Sequence, residues 1–199
     1  MIFGFIDGTL RRSTQPRGHD DLQRVNYDGG AGHHKDHGVV FQLFVPANEM
    51  IGDLSGPVVG SRHDAYVLRN SMLNPRLAAL QEVMGRLVQW RCAYGDAAYP
   101  ILSHVDRGFR GANLSDAQRA YNKALSAVRI TVEWQFGKVV NIFPFVDFRK
   151  LMKLELSPIG NCYMVASLLT NAHTTLYGCQ TSTYFGMMSP ILEQYFQVA

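Results

Sequence analysis

The sequence predicts an α/β fold, and three observations carry that expectation. Two short runs with strand character, residues 2–6 and 91–95, each lead directly into an aspartate, Asp7 and Asp96. Residues 39–45 and 50–54 are apolar-rich and joined by Pro46, Ala47, Asn48 and Glu49, the form of an antiparallel hairpin. A long helical periodicity opens at Ser115 and continues to Val139. With 199 residues, 47% of them apolar, the chain fits one domain with an ordinary core.

In chain order, residues 2–6 form the first strand, and Asp7-Gly8-Thr9 begins the loop after it. Residues 11–18 are polar and basic, with Pro16 and Gly18 as breakers, and predict an exposed loop. Arg11 and Arg12 stand there beside a strand-end acid, where they suit phosphates as well as they suit solvent. Residues 27–38 are rich in glycine. His33, His34 and His37 in that stretch lack the cysteine pair of a zinc site, so the stretch reads as a loop. After the hairpin, Asp64 precedes an apolar-patterned run from 65 to 73 and is expected to be its N-cap, with a metal or DNA role for His63 or Asp64 as the minority reading. Pro75 separates that helix from another over 76–87, and residues 91–95 return to the sheet.

Ser115-Asp116-Ala117-Gln118 has the capping-box form, in which hydroxyl and amide each satisfy a free backbone N–H. From that cap, Tyr121, Leu125, Val128, Val132, Phe136 and Val139 recur at spacings of three and four and make one buried stripe. Asn122, Ser126, Arg129 and Glu133 form a second stripe one residue further on, rotated by about 100°. Glu133 is therefore expected at the rim of the buried face. Phe143-Pro144 breaks the helix, residues 148–156 resume it briefly before Pro158, and residues 159–176 form a largely buried closing helix. The tail from Gly178 is less patterned, giving expected units of 1–177 and 178–199.

The balance of 19 Lys+Arg against 16 Asp+Glu, +3 net, permits nucleic-acid binding without demanding it. Cys92, Cys162 and Cys179 are odd in number and widely spaced, which argues against a disulfide framework and for a reducing compartment. The N-terminus lacks the basic start of a signal peptide, and no uncharged apolar run is long enough to span a bilayer. Taken singly, Asp7 and Asp96 read as turn residues, and Glu133 as half of a surface ion pair with Arg129. Two acids at strand ends and one on a helix rim together suit a pair of hard cations bound by carboxylate oxygens.

Six runs carry a further signal: Ile6-Asp7-Gly8-Thr9, Gly60-Ser61-Arg62-His63-Asp64, residues 94–100 around Gly95-Asp96, Gly108-Phe109-Arg110-Gly111-Ala112, Tyr121-Asn122, and residues 126–134 around Arg129 and Glu133. In this order they resemble the DDE endonuclease domain of Harbinger-type (PIF/Harbinger) transposases, over residues 3–185. The resemblance implies a ribonuclease H-like mixed five-stranded sheet flanked by helices, with a C-terminal helical extension. It implies Asp7, Asp96 and Glu133 as the catalytic and metal-binding acids, holding two Mg²⁺ or Mn²⁺ ions for phosphodiester cleavage of DNA in the nucleus. Arg11, Arg12, Lys35, Arg110, Arg129 and Lys138 are the candidate contacts to DNA phosphates. Asp36 stands where relatives carry an arginine, so one phosphate contact is in doubt. Relatives also carry a helical DNA-binding segment before the first strand, a role that a separate DNA-binding partner protein could fill. A domesticated or truncated protein that binds DNA without cleaving it is the alternative. A hydrolase of small phosphates is the third reading, and the sequence shows no Gly-rich phosphate loop to support it.

Overall fold

The computed structural model describes residues 2–18, 20–28, 36–84, 93–147 and 152–196. Their central layer is one mixed sheet, in the order β2 (Tyr27–Asp28), β3 (Asp36–Pro46), β1 (Gly4–Arg12), β5 (Ala93–Gly95) and β6 (Val105–Arg107), with β4 (Asp53–Val59) paired to β3. β1 runs antiparallel to β3, from Gly4 opposite Pro46 to Arg12 opposite Gly38. On its other edge β1 is parallel to β5, through Gly4 with Ala93 and Phe5 with Tyr94, and β5 is parallel to β6. This is the flanked, mixed α/β sheet expected of a ribonuclease H-like fold.

Side chains alternate across a strand, so neighbours on β1 serve two different cores. Phe5 faces one formed with Phe41, Leu43 and Tyr94 against Val132, Phe136 and Val139 of helix α4 (Asp116–Ile142) and Tyr163 and Ala166 of helix α5 (Ile159–Tyr177). Ile6 faces the other, with Phe44, Ala93, Tyr99 and Val105 against Leu68 of helix α2 (Asp64–Asn70) and Leu73 and Leu77 of helix α3 (Leu73–Met84). Helices on both faces explain why both residues are buried. Helix α1 (Asp20–Asn26) sits between β1 and β2.

Several boundaries differ from the sequence expectation. β1 does not stop at Ile6, because β3 offers it a long partner and the backbone ladder carries it to Arg12 in spite of the Gly-Thr turn signal. Asp7 is therefore inside a strand, and Arg11 and Arg12 are strand residues rather than part of an exposed loop. The second hairpin strand lies at Asp53–Val59, later than expected. Pro75 does not separate two helices but occupies the first turn of α3, where its missing N–H costs nothing. Residues 148–151 lie outside the described residues, Lys153 forms an isolated bridge with Thr14, and 154–156 form a turn rather than helix. The segment after Gly178 contains helices α6 (Gln180–Phe185) and α7 (Leu192–Phe196).

The capping box at Ser115 is present in both directions: Gln118 N–H donates to Ser115 Oγ at 3.2 Å and Ser115 N–H to Gln118 Oε1 at 2.9 Å. α4 then runs for 27 residues, about 40 Å at 1.5 Å each. α5 departs from its expected polarity, since Val165, Leu169 and Leu176 are exposed while Ser167, Thr170, Asn171 and Thr174 are buried. Hydrogen bonds make the burial of Thr170, Asn171 and Thr174 tolerable, whereas the Ser167 hydroxyl has no partner among the described residues. Thr170 and Thr174 donate to carbonyls one turn back, and Asn171 both accepts from Ile51 N–H at 2.8 Å and donates to Ile51 C=O at 3.0 Å.

Candidate active site

β5 pairs with β1 up to Phe5 opposite Tyr94 and stops at Gly95, so Asp96 leaves the sheet there, close enough for its charge to bear on Asp7. Beyond this point the edge of β1 carries no partner among the named strands. Asp96 turns its own loop, with Oδ1 accepting from Ala98 N–H at 2.7 Å. The Tyr99 ring folds back over the strand, where a Cβ on Gly95 would lie 2.5 Å from a ring carbon. Arg107 on β6 fastens the loop from the far side, donating to Tyr99 C=O at 3.0 Å and Ala97 C=O at 3.4 Å.

Asp7 shares the face of β1 that α4 crosses. There Arg129 spans two acids, with Nη1 on Asp7 Oδ2 at 2.5 Å and Nη2 on Glu133 Oε1 at 2.9 Å. The i,i+4 pair expected from the sequence is thus present, and it is tied into the sheet. Burial works against the Arg129 charge, but Asp7 and Glu133 outweigh it and the guanidinium is held cationic above its ordinary value. Two turns earlier on the same stripe, Asn122 exchanges two hydrogen bonds with the Phe109 backbone, at 2.9 and 3.0 Å, fixing the loop that bears the exposed Arg110.

A fourth acid arrives from the opposite face. Asp64 does not cap α2: His63 holds the N-cap position and no side-chain cap bond forms there. Instead the Asp64 carboxylate rests on the backbone of Gly8, so close that a Cβ on Gly8 would lie 2.0 Å from Oδ1. Glycine is required there for approach rather than for conformation. Burial, the Asp96 charge and Asp28 push the Asp64 carboxyl up to about 6, against His63 and Arg129. Asp7 also rises to about 6, through burial first, with Arg129 and Gly8 N–H pulling it down and Asp64 and Asp96 adding to the rise. Sequence reasoning gave Asp64 to helix capping. The signal for another role was its place in one of the six runs.

The basic residues divide differently from the expectation. Arg11 is buried, pairs with Asp147 at 3.5 Å, contacts Thr9 Oγ1 and lies 5.2 Å over the Tyr163 ring. Arg12 pairs with Asp36 at 3.7 Å. Lys138 lies between Glu49 Oε1 at 3.2 Å and Thr174 Oγ1 at 2.9 Å. Lys35, His33, His34 and Cys92 fall outside the described residues; His37 is in β3, its ring 5.3 Å from that of Tyr27. Cys162 and Cys179 are free thiols, and no helix among the described residues is long and apolar enough to cross a membrane.

Among the described residues no three His, Cys, Asp or Glu side chains surround a common ion position; Arg129 holds Asp7 and Glu133 instead. The donor chemistry nevertheless suits a divalent cation. The donors are carboxylate oxygens, and two of the acids are raised by burial and by each other's charge. No curated protein and no solved structure matches this chain significantly. Residues 6–171 match the DDE superfamily endonuclease family, a span that takes in most of β1, all of β5, α2 and α4 and every acid described above, and the chain therefore belongs to that family.

Proposed function

We propose that this protein is a Harbinger-type transposase endonuclease that cleaves DNA phosphodiester bonds in the nucleus with divalent cations, using Asp7, Asp96 and Glu133. The observation that carries the reading is the link from α4 to the sheet: Arg129 joins Asp7 to Glu133, and Asp96, just past the end of β5, lies near enough for its charge to bear on Asp7. In this reading residues 1–177 are the catalytic unit, and Asp7, Asp96 and Glu133 hold Mg²⁺ or Mn²⁺. When bound, such ions activate water at neutral pH and neutralise charge at the phosphorus and on the leaving oxygen.

The chain's own residues supply position and charge. Asp7 is fixed by its strand, Asp96 by the loop that Arg107 fastens, and Glu133 by a helix anchored at the Ser115 cap and at Asn122. Arg129 keeps Asp7 and Glu133 together as a positioning residue. Arg110, exposed on the loop held by Asn122, is placed to meet a DNA phosphate.

Plasmid nicking under a titration of Mg²⁺ or Mn²⁺ tests the reading. The parent should nick only with metal, and Asp96→Asn and Glu133→Gln should each lose activity by several orders of magnitude while their circular dichroism matches the parent. Metal-dependent nicking at parental rates by both variants would remove these acids from the mechanism. A parent that binds DNA but does not nick would favour the domesticated, non-cleaving alternative.

A further inference from the structure

The loop that follows β6 displays an aromatic pair that neither core takes in. Phe109 is 47% exposed and Tyr121, at the head of the apolar stripe of α4, is 39% exposed; their ring centroids lie 5.4 Å apart with the planes crossed at 64°. Aromatic rings left in water forgo the gain of burial, and slack chain does not explain their place here. The Asn122 amide accepts from Phe109 N–H at 2.9 Å and donates to Phe109 C=O at 3.0 Å, tying the loop to α4. Gly108 permits that close approach, since a Cβ there would lie 2.9 Å from both Asn122 Oδ1 and the Tyr94 hydroxyl. Phe109 is therefore presented to solvent on a fixed support, as a preorganised binding surface is.

Position and charge indicate what that surface meets. β5 and β6 are parallel with Gly95 opposite Arg107, so Asp96 and Gly108 leave neighbouring strands at the same end of the sheet. Asn122 lies two turns before Arg129 on α4, about 10 Å along the axis, which is roughly three rises of a stacked nucleic-acid strand. Arg110 and Lys123, close to the pair in sequence, are exposed and make no ion pair or hydrogen bond among the described residues. Asp116 is the only acid in the sequence from 107 to 132, and Arg119 pairs with it at 2.7 Å. The surroundings of the pair are thus cationic. Cations for phosphates beside an aromatic face for a base is the pattern of single-strand binding surfaces. Bases inside a duplex keep their faces in the stack, so an unpaired base is the one that can use these rings.

We propose that Phe109 and Tyr121 form a stacking platform for an unpaired DNA base near the site of cleavage, with Arg110 and Lys123 holding neighbouring phosphates. The platform rests on the nuclease reading for its substrate, and binding without cleavage tests it separately. In EDTA, the full chain is titrated onto a duplex with a single-stranded overhang carrying 2-aminopurine, and onto the same sequence fully paired. The parent should bind the overhang DNA at least about fivefold more tightly and quench its 2-aminopurine. Phe109→Ala should weaken overhang binding about tenfold, remove the quenching and affect the paired duplex far less. Phe109→Trp keeps an aromatic face and should restore both the affinity and the quenching, which a merely structural role for the ring would not require. Equal affinity of the parent for the two DNAs without quenching overturns the platform and leaves the nuclease reading standing. Unchanged overhang binding in Phe109→Ala does the same and assigns the aromatic pair to a protein surface instead. A parent that binds neither DNA at low salt overturns both.

Discussion

Asp7 and Asp64 show how a single backbone contact changes the meaning of a residue. Both carboxyls titrate near 6 in the folded protein against an ordinary value of 3.8. Between those values the folded state binds more protons than the unfolded chain, so stability falls as pH rises from about 4 through 6. Of the groups facing the pair, Asp96 and Asp28 steepen this slope, while His63 and Arg129 moderate it without reversing it. In EDTA the melting temperature should therefore be higher at pH 5.5 than at pH 7.5, and Asp64→Asn should flatten the profile. A melting temperature that does not change across this range would show that the two acids are compensated in solution. The sequence singled out Asp7, Asp96 and Glu133 as candidates through their local settings and the resemblance. It favoured helix capping for Asp64 and gave no sign that the Asp64 carboxylate lies against Gly8. Residues 8 and 64 are distant in the chain, and their contact depends on two sides of a sheet meeting at the open edge of one strand.

Among the elements, α4 was the most legible, because its capping box, stripe spacing and terminating Phe-Pro all act locally. The three-residue strands β5 and β6 are too short to show a period, and the length of β1 is set by its partner rather than by its own residues. Lys138 shows the same dependence on tertiary context. Its charge suggested DNA, yet it is bound to Glu49 at the β3–β4 turn and to Thr174 on α5. Burial would raise the Glu49 carboxyl, but contacts with Cys179, Lys138 and Thr181 bring it below its ordinary value. Removing one partner leaves the other charge buried, so Lys138→Met should destabilise the protein by on the order of 2 to 3 kcal/mol in urea unfolding. The same variant should leave the salt dependence of DNA binding unchanged. A shallower salt slope with unaltered stability would return Lys138 to the DNA interface.

At the scale of the whole molecule, much of the basic charge is used internally. Arg11, Arg12, Arg107 and Lys138 are engaged with carboxylates or carbonyls, while Arg17, Arg62, Arg110 and Lys123 remain exposed. About four phosphate contacts predict a slope of roughly −3.6 for the logarithm of DNA affinity against the logarithm of salt, with non-specific dissociation constants on the order of 10⁻⁴ to 10⁻⁶ M. Titration of a random duplex at several salt concentrations measures it, and a slope two or three times steeper would mean that the internal pairs open on DNA. The four acids also belong to four separate segments, from the first strand to the middle of the longest helix. A ribosome must deliver the chain past Glu133, and β1 must find β5 across the intervening hairpin and helices, before those charges can meet. On the proposed nuclease reading, cleavage competence would thus be withheld from every nascent or partly folded form of the chain, and DNA would meet the activity only of molecules that have finished folding.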